Sequence, residues 1–202
     1  MTLANLALHL NARRRRHGRG LPPLILVTDE SRLPDPSAAV ARLPVGAAIL
    51  LRHYHDPDRA GLARRLKAIA RRRRLVLLVG GDWRLAARVG ADGVHLPEFL
   101  LRSGRLAPLL GWARRRHRLA TGACHGRHAL GLAAKMGLDA ALLSPVFTTA
   151  SHPGAAGLGA FHFATWARRA GLPVHALGGV TEITARQIRF AAGLAAIGAL
   201  RR

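Results

Sequence analysis

Residues 90–96 read "GADGVHL", and two later stretches share the plan: "GLDAALL" at 137–143 and "GLAAIGAL" at 193–200. Each places a glycine directly before a short apolar run. Glycine adopts the left-handed conformation that ends a helix, so the pattern reads as a helix stop followed by a strand. A unit that recurs in this way points to repeated strand–helix modules.

Further apolar runs extend the pattern: "LILVT" at 24–28, "AAILLR" at 47–52, "LVLLVGG" at 75–81, "RLATGA" at 118–123 and "VHALGG" at 174–179. Most lack polar alternation, as strands buried on both faces do, which implies a mostly parallel sheet. Helical patterns lie between them. "DPDRAGLARRLKAIARRRR" offers Asp56 as N-cap and Pro57 as first helical residue. "DWRLAARVG" runs from Asp82 to Gly90, "HALGLAAKMG" stops at Gly137, and "FATWARRAG" stops at Gly171. "TEITARQIRFAAG" reads as a helix from Thr181 to Gly193.

Eight strand signals with intervening helices predict a single compact (β/α)8 barrel over residues 21–202, short and with a truncated eighth helix. Residues 1–20 form a basic N-terminal segment; its stretch 3–12, or a second subunit, would cover the flank left bare. A doubly wound open sheet is the alternative, and the absence of a Rossmann glycine fingerprint argues against it.

The chain has 202 residues, half of them apolar, enough for one core. Its single cysteine, Cys124, fits a reducing, cytoplasmic setting and packs at the barrel rim. No apolar run nears the roughly 20 residues of a membrane span. The formal net charge is +22, nearly all of it arginine. Such a field attracts anions. With no aromatic interleaving and no nucleic-acid motif, however, the arginines read as solvated helix faces. Nucleic acid is the lesser alternative. The three tryptophans, Trp83, Trp112 and Trp166, fall on helical stretches and read as outer packing. "HYHD" at 53–56 reads as a pair of loop histidines and a helix cap rather than a metal cluster.

Barrel ligands bind at the C-terminal ends of the strands. "LGGV" and "AAIGAL" supply glycines at two such ends, where backbone N–H groups can meet a phosphate. "SPVFTTASHPG" at 144–154 adds four hydroxyls and a histidine after the sixth strand.

"GADGVHLPE", "SPVFTTASHPG" and "ALGGV", in this order, resemble the thiamine phosphate synthase and TenI-type thiazole tautomerase family. The resemblance spans roughly residues 21–200. It implies a compact (β/α)8 barrel that binds a phosphorylated thiazole and, in the synthases, couples it to a pyrimidine diphosphate with Mg2+. Arg52 stands where the family contacts diphosphate. Thr149 and Ser151 match the hydroxyl pair of the closing loop, and His152 replaces its lysine. Gly179, Ile197 and Gly198 match the phosphate cradle.

Other places depart from the pattern. Tyr54 replaces a lysine, Gly80 and Gly81 replace Asn-Asp, Leu100 replaces a second metal aspartate, and Ala123 replaces a serine. Pro145 stands where the tautomerases carry an acid–base histidine. Mg2+ would bind only if Asp82 or Glu98 compensated for the lost aspartates, which counts against Mg2+-dependent coupling to a diphosphate, and no other cofactor is implied. His152 and His125 are the expected acid–base residues. The expected partner is a phosphorylated small molecule; a homo-oligomer is compatible, and a non-catalytic phosphate-binding barrel is the competing class.

Overall fold

The computed structural model describes residues 2–12, 20–149 and 156–197. Eight parallel strands close into a barrel in sequence order: β1 (Leu24–Val27), β2 (Ala48–Leu51), β3 (Val76–Gly80), β4 (Gly93–Leu96), β5 (Leu119–Cys124), β6 (Ala140–Leu143), β7 (Val174–Ala176) and β8 (Gly193–Ala196). β8 returns to β1 with Leu24 opposite Leu194. The helices are α1 (Leu3–Ala12), α2 (Ser37–Ala41), α3 (Arg59–Arg73), α4 (Trp83–Arg88), α5 (Glu98–Ser103), α6 (Ala107–Arg115), α7 (Arg127–Lys135) and α8 (Gly159–Arg169). None is long and apolar enough to cross a membrane among the described residues.

The strands are largely apolar because both faces are buried; His95, Thr121 and His175 are buried polar exceptions. Ile25, Val27, Leu50, Leu78, Leu142 and Ala195 fill the barrel interior, while the residues between them pack outward under the helices. This layering explains why the strands lack polar alternation. Trp83 and Trp112 meet in the outer shell with ring centroids 6.2 Å apart.

The repeat that opened the sequence has a chemical basis in two of its three copies. Gly90 and Gly137 take positive φ of 65° and 69° after α4 and α7. The aspartate two residues later ties the new strand to its predecessor. Asp92 accepts from Leu77 N at 2.9 Å and Asp139 from Ala120 N at 2.8 Å. Lys67 Nζ also donates to Asp92 at 2.8 Å.

The third copy works differently. Gly193 opens β8 and ends no helix; a Cβ there would run into the Pro23 carbonyl and the His175 ring. The expected helix over 181–193 reduces to one 3-10 turn, Thr184–Gln187. Thr184 Oγ1 accepts from Thr181 N at 2.8 Å and donates to Gly179 O at 2.8 Å, so the side chain competes with helical bonding. A second boundary also shifts: α3 is capped by Asp58, which accepts from Gly61 N at 2.9 Å, and not by Asp56. Asp56 instead accepts from Asp58 N in the preceding turn.

Among the described residues no helix follows β8. α1 stands on that flank against β1, β8 and the 3-10 turn, with Leu3 and Ala7 buried. Its contact surface is the one that an eighth helix covers in a complete barrel.

Candidate functional site

A cavity of about 600 Å³ opens at the C-terminal ends of the strands. Its floor is apolar, from Val27, Leu50, Leu177 and Ala195, and its walls carry the polar groups.

On the β1–β2 side Arg52 lines the cavity, and its position is fixed from below. Thr28 Oγ1 accepts from Arg52 N at 3.0 Å. The Thr28 hydroxyl lies 2.8 Å from His53 Nδ1, while His53 Nε2 lies 3.2 Å from the Pro34 carbonyl. A carbonyl only accepts, so Nε2 carries the proton and Nδ1 accepts from Thr28. The buried histidine of "HYHD" is thus a brace for Arg52. Tyr54 stands at the rim between two guanidinium groups, 5.9 Å from Arg52 and 5.3 Å from Arg59. Burial raises the Tyr54 hydroxyl above its ordinary pKa against the pull of both arginines, so it stays protonated.

At the β4–β5 end, His95 lies buried in the wall with Nδ1 2.9 Å from Thr121 Oγ1. Burial first, and the Arg52 charge second, push its pKa down to about 3, so the ring is neutral. Beside it Glu98 and His125 form a tight pair. Glu98 Oε2 accepts from His125 N at 2.7 Å and from His125 Nδ1 at 2.8 Å. Glu98 Oε1 accepts from Arg102 Nε at 2.8 Å and from Nη2 at 2.5 Å. Burial opposes the Glu98 charge, but these bonds outweigh it and hold the carboxyl below its usual pKa. Cys124, next in the chain, is buried; its thiol is pushed up to about 12 by burial and then by the Glu98 charge, so it is no nucleophile.

At the β7–β8 end the chain offers backbone. Gly178 and Gly179 have φ of 90° and 63°. A Cβ on Gly179 would lie 2.6 Å from Thr148 O, so only glycine lets this turn sit against the loop after β6. The N–H groups of Gly179 and Val180 take no partner among the described residues, and both residues line the cavity with Thr149 and Ile197.

Of the eight site residues expected from sequence, Arg52, His125, Thr149, Gly179 and Ile197 therefore share one cavity. Ser151, His152 and Gly198 lie outside the described residues. The sequence offered Glu98 only as a metal candidate and gave His95 no role. Their links to Thr121 and to Arg102 and His125 join residues 26 and 27 positions apart and one helical turn away, and only the last spacing leaves a trace in sequence.

The two carboxylates expected to take up a metal are already engaged. Asp82 caps α4, accepting from Leu85 N at 2.9 Å, and Glu98 has four donors on its two oxygens. Gly81, in the place of the family's metal aspartate, has φ of 71°. A Cβ on Gly80 would lie 2.8 Å from the Tyr54 hydroxyl. Mg2+ requires carboxylate oxygens in near-octahedral array, and this donor set does not fit it. No group of three or more His, Cys, Asp or Glu is placed to hold a metal among the described residues.

Fold and cavity define the class: a (β/α)8 barrel whose cavity, apolar at the floor and polar at the walls, opens at its C-terminal mouth. Within that class the chain belongs to the thiamine monophosphate synthase family, whose sequence profile matches residues 24–201. The thiamine-phosphate synthase of Marinobacter nauticus is 32% identical over 188 residues, covering 87% of this chain and 81% of that protein. The putative thiamine-phosphate synthase 2 of Aquifex aeolicus is 32% identical over 131 residues, which are 62% of this chain and 65%, just under two thirds, of the relative. A solved structure of thiamine phosphate pyrophosphorylase from Pyrococcus furiosus superposes with a TM-score of 0.71 at 23% identity, over 88% of this chain and 86% of that one. FabK from Thermotoga maritima shares the barrel at a TM-score of 0.66 and 12% identity, over 99% of this chain and 62% of that one.

Proposed function

We propose that the cavity binds a phosphorylated thiazole-type small molecule in thiamine biosynthesis or salvage. The phosphate sits on the backbone of Gly179, Val180 and Ile197. Thr149 adds a hydroxyl from the loop after β6, with Arg52 across the mouth, and the family pattern gives Ser151, His152 and Gly198 the same ligand. The observation that supports this reading most is the pair of N–H groups at Gly179 and Val180 that take no partner among the described residues. Buried or cavity-facing backbone donors are seldom left unpaired, and an anion satisfies two at once.

Coupling to a diphosphate through Mg2+ is not part of this reading. A metal that clamps a departing phosphate supplies several kcal/mol, and each ~1.4 kcal/mol is a factor of ten in rate. Asp82 and Glu98 are committed elsewhere, and Gly81 and Leu100 stand in the places of the family's two metal aspartates. The test is thermal unfolding with 4-methyl-5-(2-phosphooxyethyl)thiazole, with and without EDTA. A ligand-dependent rise in Tm that EDTA leaves intact is expected. No rise at millimolar ligand rejects the reading; a rise that needs Mg2+ rejects the metal-free form of it. Incubation with the pyrimidine diphosphate, the thiazole phosphate and Mg2+ should give no thiamine phosphate.

A further inference from the structure

We propose that the end of the barrel opposite the cavity docks, as a peripheral contact, on a lipid surface rich in anionic phosphodiester headgroups. The juxtaposition that carries this is a ring of cations without ion-pair partners, set among apolar loop residues.

Barrel topology sorts the charges of this chain. Each helix runs back against its strands, so helix C-termini gather where the strands begin. Five helices bring eleven exposed cations there. α3 closes on four arginines at 71–74, α6 on three at 114–116 and α8 on Arg168 and Arg169, while α4 and α7 add Arg88 and Lys135. The carboxylates sort the other way. Of ten Asp and Glu, eight lie in the loops and first helical turns at the cavity end. Only Asp92 and Asp139 lie where strands begin, and both are engaged: Asp92 by Leu77 N, Lys67 and Arg118, and Asp139 by Ala120 N. None of the eleven cations forms an ion pair among the described residues.

A cation at a helix C-terminus offsets the helix dipole, and one per helix is enough for that. The runs at the ends of α3 and α6 instead repel internally within the ~10 Å screening length. Their complement is therefore an external anion, and guanidinium groups match phosphate oxygens bidentately.

Two features favour lipid over nucleic acid. Val45, 64% exposed, stands in the loop that enters β2, and Phe190, 46% exposed, in the one that enters β8, so apolar tips share this end with the cations. Interfacial surfaces combine these parts, apolar residues entering the lipid and cations holding headgroups. Single-stranded nucleic acid needs successive aromatic platforms. Phe190 is the one exposed Phe, Tyr or Trp at this end among the described residues, and the Arg168 guanidinium already lies 5.2 Å from its ring. Docked in this way the chain lies on the membrane, spans nothing, and keeps its cavity open to solvent.

The test is co-sedimentation of the whole protein with phosphatidylcholine vesicles containing about 30% phosphatidylglycerol, an anionic lipid. Binding is expected at low ionic strength, should fall steeply with added salt, and should be absent with phosphatidylcholine alone. Each arginine near an anionic surface contributes about fivefold to the partition coefficient. Arg71→Gln with Arg115→Gln should therefore weaken binding about 25-fold, and Arg71→Glu with Arg115→Glu further. Arg84→Glu with Arg127→Glu makes the same change of net charge as that reversal, but at the cavity end, and should leave binding within about threefold. Melting curves of every variant check that the fold is kept. No sedimentation at low salt, or equal sedimentation with both kinds of vesicle, overturns the proposal. Equal weakening by the two reversal pairs also overturns it, since net charge alone then accounts for the binding. A short single-stranded RNA at matched phosphate concentration should leave the vesicles occupied; if it strips the protein from them, the face belongs to nucleic acid and the lipid reading falls.

Discussion

Lowering the pH from 7 to 5 should remove about 4 kcal/mol of folding stability through two histidines alone. His95 and His175 are fully buried, with pKa values pushed down to about 3 and about 4, chiefly by desolvation. His175 donates from Nε2 to the Pro22 carbonyl at 2.8 Å, and its Nδ1 is buried with no partner among the described residues. Once unfolded, both return to a pKa near 6.5. Below that value the unfolded chain binds protons that the folded one refuses, so stability is complete above pH 6.5 and declines as pH falls towards 4. At pH 5 each ring lies about 1.5 units below its unfolded pKa, at about 1.4 kcal/mol per unit, or about 2 kcal/mol each. For a chain of this length that corresponds to a Tm drop on the order of 10 °C. The carboxylates stay mostly ionised at pH 5, so the window isolates the histidines. Urea unfolding at pH 7 and pH 5 measures the loss. His95→Gln and His175→Gln should each halve the pH dependence, whatever they do to absolute stability, and the double variant should nearly abolish it. Equal stability of the wild type at both pH values would refute the reasoning, as would an undiminished loss in the double variant.

Three further outcomes follow from particular contacts. Gly179→Ala should lose the ligand-induced Tm rise and about 1–3 kcal/mol of stability, because its Cβ meets Thr148 O at 2.6 Å in a left-handed backbone; calorimetry with the thiazole phosphate reads both. Asp92→Ala should cost about 2 kcal/mol in urea unfolding, since it strands Leu77 N and Lys67 Nζ; Asp92→Asn should recover only the Leu77 bond. Leu3→Ala should cost about 2–3 kcal/mol although it lies outside the barrel proper, because Leu3, on α1, is only 2% exposed.

Most of the strands were legible in the sequence because parallel barrel strands are buried on both sides and so read as short apolar runs. The glycine stops at 90, 137 and 171 were legible for an equally local reason, since each takes a positive φ. The third repeat misled because glycine has two uses. Gly193 is selected by the carbonyl and ring that crowd it across β1 and β7, which no local pattern records. The missing helix before it turned on one hydroxyl, Thr184, capturing the backbone. The short helices α2, α5 and α6 carried too little periodicity to stand out.

The site divides along the same line. Arg52, Thr149, Gly179 and Ile197 were found through strand ends and the family pattern, because barrel topology alone gathers such positions at one mouth. The engagement of Glu98 by Arg102 and His125, and of Thr28 by His53, depends on side-chain direction across separate strands. Proximity in sequence made Asp82 look available to a metal, yet its oxygen was needed by the first turn of α4.

The placement of α1 bears on how the molecule assembles. The seam between β1 and β8 joins residues far apart in the chain, and such contacts carry the largest loop-closure cost in folding. α1 grips both edges of that seam and the turn before it, so it acts as a clasp across the joint with the largest closure cost. Because the clasp is made from the leading segment of the chain, pulling on that end should open the barrel at the β1–β8 seam first.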